Sequence, residues 1–458
     1  MKRSTILRKA DGRTSILLRP PGLLIIAALL HVAITATVLM LGRNALLPAT
    51  FDTNGIAISF AEDGVGHRED AATLAQMLRG GEFLVWFNSP YPFHVKLYSL
   101  CFAVFGSSLG RNIVGAEPVN LFCYLGILIL VYNLGKETFG SYSGLVAAAT
   151  VALWPTLLLH TTQLLKDPIF ILGMLALSFV MMRLLTGSYS WRKGLLIGAA
   201  GAALVALIWK TRSDLGPVLV ATVILGAVTL TIRQFQLKRL AASNLAGIGL
   251  LLTLTAATVL WLPVYRDLDN PRRNFKGAET QEAFAIDNAA VSADVRWWQV
   301  STQVGIVRQR FVTKYPDSSS NLDTSVKLTN TRDLFRYLPR AAAIGLFAPF
   351  PKMWFETGNS VGSTGRILSG LEMLLMYAVE ALAVVGLWRG RRQLSVWLLF
   401  SIAVMGTIAL GLVVVNVGTL YRLRYVFLTL LIILAAGGIS QVVNWLPKRQ
   451  SPPQKVGA

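Results

Sequence analysis

The stretch LLHTTQLLKDPIF (residues 158–170) decides the fold, because it sets a lysine and an aspartate, Lys166 and Asp167, between two apolar runs. A carboxylate in an apolar interior is costly unless it is paired or used for function. The two residues therefore lie at the edge of a membrane, or in a polar cavity, or in a chain that enters no membrane. The rest of the sequence decides among these alternatives.

The composition favours a membrane protein. Of the 458 residues, 54% are hydrophobic and only 14% are charged. Several apolar runs approach the roughly 20 residues that cross a bilayer, and no alternating barrel pattern is present. The expected fold is therefore an all-α polytopic membrane protein, since lipid requires backbone groups to pair internally.

The excess of positive charge has a topological explanation. The formal net charge of +20 comes from Lys and Arg in the tails and the short loops between apolar runs. This distribution favours membrane orientation and contact with anionic lipid, and argues against a nucleic-acid-binding protein. The cysteines, Cys101 and Cys123, lie in or beside apolar segments and indicate neither a disulfide nor a metal site.

Basic residues also predict the orientation. Residues 1–22 contain six Lys/Arg and one acid, and residues 446–458 contain three Lys/Arg and no acid, so both tails should be cytoplasmic. No small-residue cleavage site follows the run 22–41, which we interpret as an uncleaved first span. Further spans are predicted near 168–185, 194–209, 215–232, 243–264, 367–388, 394–415 and 423–445.

Three more apolar stretches, 92–107, 114–134 and 143–158, must supply two crossings if the topology is to alternate. We expect 92–107 to be the one that does not span, which gives about ten transmembrane helices (roughly 9–12). The chain then divides into a basic tail (1–22), an N-terminal transmembrane module (23–264) with an outer loop (43–91), an outer segment (265–366), C-terminal helices (367–445) and a second tail (446–458).

The outer segment has the character of a solvated surface. It mixes 14 Lys/Arg with 10 Asp/Glu. Its stretches RWWQV (296–300) and RAAAIGLFAPFPKMWF (340–355) place aromatic residues beside basic ones. This pattern is typical of helices that lie flat in the headgroup layer.

An ordered set of motifs resembles a known family. An acidic first outer loop is followed by G…SPYP…K (81–96), VFGSSLGRN (104–112), LVYNLGKETFG (130–140), VALWP (151–155) and KDP (166–168). Over roughly residues 20–230 this order resembles the bacterial GT-C membrane glycosyltransferases, related to the protein O-mannosyltransferases and the aminoarabinose transferase of lipid A. The resemblance implies a GT-C-like fold in the bacterial cytoplasmic membrane. It also implies transfer of a sugar from a polyprenyl-phosphate carrier to a lipid, glycan or protein acceptor outside the cytoplasm.

The resemblance further implies two acidic residues on the outer face. The one in the second external turn corresponds to Asp167. For the one in the first outer loop we choose Asp63, with Asp52 and Asp70 as alternatives; where the family often has an aromatic residue four positions later, Asp63 has His67. Asp63 would act as the general base, and Asp167 would orient the site or hold a cation.

The chemistry of a lipid-phosphate donor calls for cations beside these acids. A carboxylate takes the proton of the attacking hydroxyl or amine, and Lys or Arg stabilises the charge that grows on the departing phosphate. Candidates for phosphate binding at the predicted outer boundary are Lys166, Arg212, Arg422 and Arg424, with His94, Lys96 and Tyr421 as further site candidates. Paired carboxylates could bind Mg²⁺ or Mn²⁺, but such sites leave no spacing signature here, so metal dependence stays open.

Other interpretations compete with these. Asp167 before Pro168 is typical of a helix start and would cap the following helix. Lys166 would extend to the headgroups, and Arg212 beside Trp209 would be an interfacial anchor. At the level of function, the alternatives are a membrane transporter or flippase for a lipid-linked or anionic substrate and a non-catalytic subunit of an envelope polysaccharide machine. Charges gathered at one face, and the lack of an internal repeat, favour the transferase over the transporter.

Overall fold

A computed structural model gives the fold of the chain. It describes residues 20–46, 48, 50, 51, 61, 63–237, 241–262, 300–314, 318–356 and 362–445. These residues form helices joined by turns and contain no strand beyond isolated bridges. The prediction of an all-α chain is therefore confirmed for this part. Four parts of the predictions lie outside the described residues: the candidate Asp52, residues 1–19 of the first tail, the second tail (446–458) and RWWQ of the 296–300 stretch.

The bounds of the described helices follow the chain in order. They are α1 (Pro20–Arg43), α2 (Asp63–Arg79), α3 (Phe83–Asn88), α4 (Phe93–Phe105), α5 (Ile113–Phe139), α6 (Ser141–Ala152), α7 (Pro155–Thr161), α8 (Asp167–Thr186), α9 (Trp191–Arg212), α10 (Gly216–Leu237), α11 (Ala242–Trp261), α12 (Val300–Lys314), α13 (Thr331–Phe347), α14 (Gly362–Gly390), α15 (Leu394–Val413), α16 (Val417–Leu423) and α17 (Tyr425–Trp445). Two 3₁₀ turns, Ser213–Leu215 and Pro351–Trp354, join α9 to α10 and follow α13.

Many of these helices can cross a membrane. Seven helical stretches of the described chain are long and apolar enough, or up to nine if each of two bent helix pairs is one span. By length and composition the chain is a multi-pass membrane protein, as predicted. The 13-residue helix α4 covers about 20 Å, less than the hydrocarbon core of about 30 Å. This length agrees with the expectation that 92–107 does not span, while the total of about ten spans stays a prediction.

One of the seven stretches, Trp191–Gln236, reverses direction. Its 46 residues would form a straight helix about 69 Å long. Instead Arg233, near its end, donates a hydrogen bond over 3.1 Å to the carbonyl oxygen of Thr186, just before its start. The helical path breaks at Arg212, whose φ of −153° precedes the 3₁₀ turn. The stretch therefore consists of two helices, α9 and α10, that run in opposite directions.

Small residues bring neighbouring helices close together. A Cβ added at Gly198 of α9 would lie 2.2 Å from the carbonyl oxygen of Gly247 in α11. Likewise, a Cβ at Gly386 of α14 would lie 2.0 Å from the carbonyl oxygen of Leu434 in α17. In a bilayer the hydrophobic effect does not drive helices together, because the lipid tails are as apolar as the side chains. Close backbone approach and van der Waals packing hold such helices together instead.

Contacts between helix ends define two opposite ends of the bundle. At one end, Arg183 Nη1 near the end of α8 lies 2.7 Å from Glu137 Oε1 near the end of α5. At the other end, Asp167 at the start of α8 meets Arg212 at the end of α9. We call this second end, which also holds α2 and α16, the site end. The first end contains the basic connection after Arg183 that the sequence assigned to the cytoplasm.

Two bent helix pairs lead into the site end. α6 and α7 meet at 67°, and α16 and α17 meet at 55°. α7 begins at Pro155, whose ring lacks the N–H that would continue the preceding helix. The second bend falls at Arg424, between Leu423 and Tyr425. Both bends leave a short helix that carries polar side chains close to the start of α8.

Candidate functional site

Asp167 lies at the centre of the charged cluster at the site end. It is the first residue of α8, where the positive end of the helix dipole favours a carboxylate. Its Oδ1 accepts a hydrogen bond of 2.6 Å from Arg212 Nη1, and both side chains are 3% exposed. Its Oδ2 lies 3.2 Å from Arg422 Nε. The N-cap position of α8 is Lys166, whose side chain makes no capping hydrogen bond, and the Asp167 carboxylate is directed to the two arginines.

Arg422 contacts both Asp63 and Asp167, the two acidic residues that the sequence analysis predicted to be catalytic. While its Nε faces Asp167, its Nη2 donates a hydrogen bond of 2.9 Å to Asp63 Oδ2. Asp63 is the first residue of α2, and Arg422 lies on the short helix α16, 359 residues further along the chain. The Asp63 side chain is 27% exposed and that of Arg422 is 14% exposed. This half of the cluster is therefore the more accessible one.

Arg212 and Lys166 complete the cluster. The Arg212 guanidinium stacks over the Phe170 ring at 5.6 Å and lies 3.7 Å from the exposed carboxylate of Asp214. A guanidinium is only weakly hydrated, so it can pack one face against an aromatic ring at little cost in lost hydration. Lys166 is half-buried directly before α8. Together with Asp63, Asp167 and Arg422 these residues place two carboxylates and three cations at one end of the bundle.

A pair of histidines borders this cluster. His67 lies one turn after Asp63 on α2, and its Nδ1 is 2.9 Å from the carbonyl oxygen of Leu164. His94 on α4 is 2% exposed, and its Nε2 lies 3.3 Å from His67 Nε2. Burial, followed by the effects of His67, Lys166 and Arg212, holds the pKa of His94 well below its usual value. His94 is therefore neutral at neutral pH.

Two candidate cations point elsewhere. Arg424 is buried, and its Nη1 donates to the carbonyl oxygen of Ala348 at 2.5 Å, after the end of α13. The guanidinium also stacks on Tyr421 at 4.4 Å. Lys96 donates from Nζ to the carbonyl oxygen of Phe87 at 2.7 Å. Both side chains satisfy backbone carbonyls and are not part of the cluster around Asp167.

The remaining candidates occupy separate surroundings. Asp70 is buried on α2, two turns from Asp63. Tyr421 lies near a buried polar group around Glu372, whose Oε1 accepts hydrogen bonds from Trp154 Nε1 and, at 2.5 Å, from Thr156 Oγ1. This group joins α14 to the bend between α6 and α7.

No sequence pattern pairs His67 with His94 or Asp63 with Arg422. The sequence analysis considered His67 only as the residue that replaces the aromatic side chain of the family pattern, four positions after Asp63. Its spacing of four residues from Asp63 does place both side chains on one helical face, which was a usable signal. The second partner in each pair comes from a distant segment, for which no local pattern exists.

The described residues contain no group of three or more His, Cys, Asp or Glu side chains that could hold a metal ion. Arg422 supplies a positive charge between Asp63 and Asp167. Comparison with known proteins adds no assignment: no family model matches the chain, and no curated protein matches it significantly. The resemblance to GT-C glycosyltransferases stays a prediction.

Proposed function

We propose that the chain is a bacterial membrane glycosyltransferase that moves a sugar from a polyprenyl-phosphate donor to a hydroxyl or amine acceptor at the outer face of the cytoplasmic membrane. The observation that carries the proposal is the bridge from Asp63 through Arg422 to Asp167 and Arg212. It combines carboxylates with guanidinium groups at the end of an apolar helix bundle. The lipid tail of a donor can stay in the bilayer while its phosphate reaches this end.

Each residue of the bridge has a role in such a reaction. Arg422 and Arg212 would bind the phosphate, because a guanidinium can donate two parallel hydrogen bonds to phosphate oxygens. Lys166 would add a third positive charge as the phosphate leaves. Asp167, buried between the two arginines, would hold them in position for the phosphate. Asp63 would accept the proton of the attacking group.

The exposure of the residues supports an order of events. Asp63 and Arg422 are the accessible members, at 27% and 14%, whereas Asp167 and Arg212 are each 3% exposed. A phosphate that binds Arg422 competes with Asp63 for the same guanidinium. Binding of the donor would therefore release the Asp63 carboxylate from its ion pair and leave it free to act as a base. The buried pair would stay intact throughout.

Separate Asp63→Asn and Asp167→Asn variants test the proposal. Membranes that contain the full chain are incubated with polyprenyl-phosphate-linked radioactive sugars, and the label on envelope glycans, lipids and proteins is counted. Loss of a positioned base typically costs about 10²–10⁴-fold in rate, so we expect Asp63→Asn to lose at least about 100-fold. Asp214→Asn is the control, since its carboxylate is exposed and 3.7 Å from Arg212. Full transfer by both folded variants would leave a non-catalytic assembly subunit as the better explanation.

A transporter or flippase is the second candidate, and the two bent helix pairs favour it. Broken helices and buried acids are common where transporters bind their substrates, and Glu372 is buried within a candidate span.

Reconstitution into liposomes separates the two functions. A transporter moves a fluorescent polyprenyl phosphate between leaflets with the sugar still attached, whereas a transferase leaves a sugar-free lipid phosphate behind. Lipids that copurify with the chain, identified by mass spectrometry, would name the carrier.

A further inference from the structure

One histidine carries an unused hydrogen-bonding atom. The chain has four histidines, and all lie in the described residues. His31 directs both ring nitrogens to partners, Glu117 Oε1 at 2.7 Å and Thr161 Oγ1 at 3.2 Å. By contrast, His94 Nδ1 is buried and has no hydrogen-bond partner among the described residues. A buried polar atom without a partner costs free energy, so its retention calls for a functional explanation.

The hydrogen bonds of His67 define the tautomer of His94. The carbonyl oxygen of Leu164 can only accept, so His67 Nδ1, 2.9 Å away, must donate. In the neutral form of His67 the proton is then on Nδ1, so Nε2 is an acceptor. His94 Nε2, 3.3 Å from that atom, must supply the proton of this contact. In neutral His94 the proton is therefore on Nε2, and Nδ1 presents a lone pair.

The surroundings of His94 belong to the candidate site. His67 and Asp63 on α2, Lys166 before α8, Arg212 at the end of α9 and Tyr98 on α4 itself are the titratable and charged groups that act on His94 or contact it. Burial, His67, Lys166 and Arg212 lower the pKa of His94, and Asp63 raises it. A neutral ring among cations is a poor final recipient of a proton. It remains a good acceptor of a hydrogen bond.

We propose that His94 Nδ1 accepts a hydrogen bond from a sugar hydroxyl of the bound substrate, and that His67 is the positioning residue that fixes the required tautomer. The proposal rests on the sugar transfer proposed above. No proton moves to His94 in this role, since the proton of the attacking group goes to Asp63. The hydroxyl could belong to the sugar of the lipid-linked donor or to a glycan acceptor, and the experiment separates these sources.

Solid-state ¹⁵N spectra of the histidine-labelled full chain in nanodiscs test the proposal. The signal of His94 Nδ1 is assigned by its loss in His94→Gln. In the free chain we expect the frequency of an unprotonated nitrogen that accepts no strong hydrogen bond. Farnesyl-phosphate mannose and farnesyl-phosphate glucose are the donor probes, methyl mannoside and methyl glucoside are the acceptor probes, and farnesyl phosphate alone is the control. We expect one class of sugar probe to shift the signal toward the hydrogen-bonded range, and farnesyl phosphate to leave it unchanged.

Affinities of variants give a second measurement. His94→Leu removes the acceptor, whereas His94→Gln keeps a carbonyl oxygen that can accept and an amide that can donate to His67. Loss of one neutral hydrogen bond weakens binding about 10-fold. We expect the Kd of the effective sugar probe to rise about 10-fold in His94→Leu and clearly less in His94→Gln, with the Kd of farnesyl phosphate unchanged.

The outcomes separate this proposal from the proposed function. If a sugar probe binds and the His94 Nδ1 signal does not move, or if that nitrogen is already protonated in the free chain, the histidine proposal is overturned and the transferase proposal stands. If no sugar probe binds the wild-type chain, both proposals fail. If His94→Leu does not fold, the signal of the wild-type chain alone decides.

Discussion

Asp167→Asn removes a buried charge that two arginines depend on. Asp167 and Arg212 are each 3% exposed, with 2.6 Å between Oδ1 and Nη1, and Arg422 Nε lies 3.2 Å from Oδ2. Removing one partner of a buried ion pair costs about 3–5 kcal/mol, because the remaining charge is left without compensation. Asp214, 47% exposed and 3.7 Å from Arg212, offsets part of this loss. We expect the free energy of unfolding to fall by about 3 kcal/mol.

The matched control is Asp214→Asn, which removes a charge from the same arginine at an exposed position. A solvent-screened pair of this kind contributes about 0.5 kcal/mol or less. The free energies of unfolding are measured by denaturant titration of the purified variants in mixed micelles. Adding Arg212→Gln to Asp167→Asn should restore part of the lost stability, since it removes the uncompensated charge. A loss in Asp167→Asn no larger than in Asp214→Asn would refute the explanation by burial.

Three further predictions concern other parts of the chain. Asp63→Asn should change the free energy of unfolding by about 1 kcal/mol or less, because the pair is partly exposed, while it lowers sugar transfer in the membrane assay by at least about 100-fold. A hydrogen bond from Arg340 lowers the pKa of Asp323. The ionised Asp323 therefore stabilises the fold fully above the ordinary carboxyl pKa of about 3.9, and this contribution is lost as the pH falls through the lowered pKa. The thermal unfolding temperature of Asp323→Asn should therefore depend less on pH in the acid range than that of the wild-type chain. Gly198→Ala should lower the free energy of unfolding by about 1–3 kcal/mol, because the new Cβ meets a backbone oxygen at 2.2 Å, whereas Gly249→Ala, with open space around it, should leave denaturation unchanged or stabilise the chain by up to about 1 kcal/mol.

Hydropathy and charge predicted the approximate bounds of most of the long helices that the structure describes. A bilayer requires about 20 apolar residues per span and places charges at its edges, so the position of Lys166 and Asp167 at a helix start follows from the sequence. The same reasoning separated α4 from the spans. The bends before Pro155 and at Arg424 were not predicted. Pro155 was a usable signal for the first bend, because a proline interrupts a helix, whereas no proline marks the second bend.

Hydropathy did not predict the direction in which each charged side chain points. Arg422 lies in the last turn of α16, and Arg424 lies two residues later, at the bend before α17. One arginine turns to Asp63 and Asp167 and the other to the carbonyl oxygen of Ala348. The sequence analysis placed both arginines at the same end of the bundle and predicted that both bind phosphate. Hydropathy indicates how far along the bundle a residue lies, but it does not indicate in which direction around the helix axis the side chain points.

Rotation about a helix axis is set by packing, and packing also explains which candidates meet. Where Gly198 meets Gly247, the close crossing of α9 and α11 fixes how α9 is turned, and hence where Arg212 points. An enlarged side chain at this crossing should then disturb the contact between Arg212 and Asp167 from a distance. If packing sets the rotation in this way, Gly198→Ala should lower sugar transfer as well as stability, whereas Gly249→Ala should lower neither.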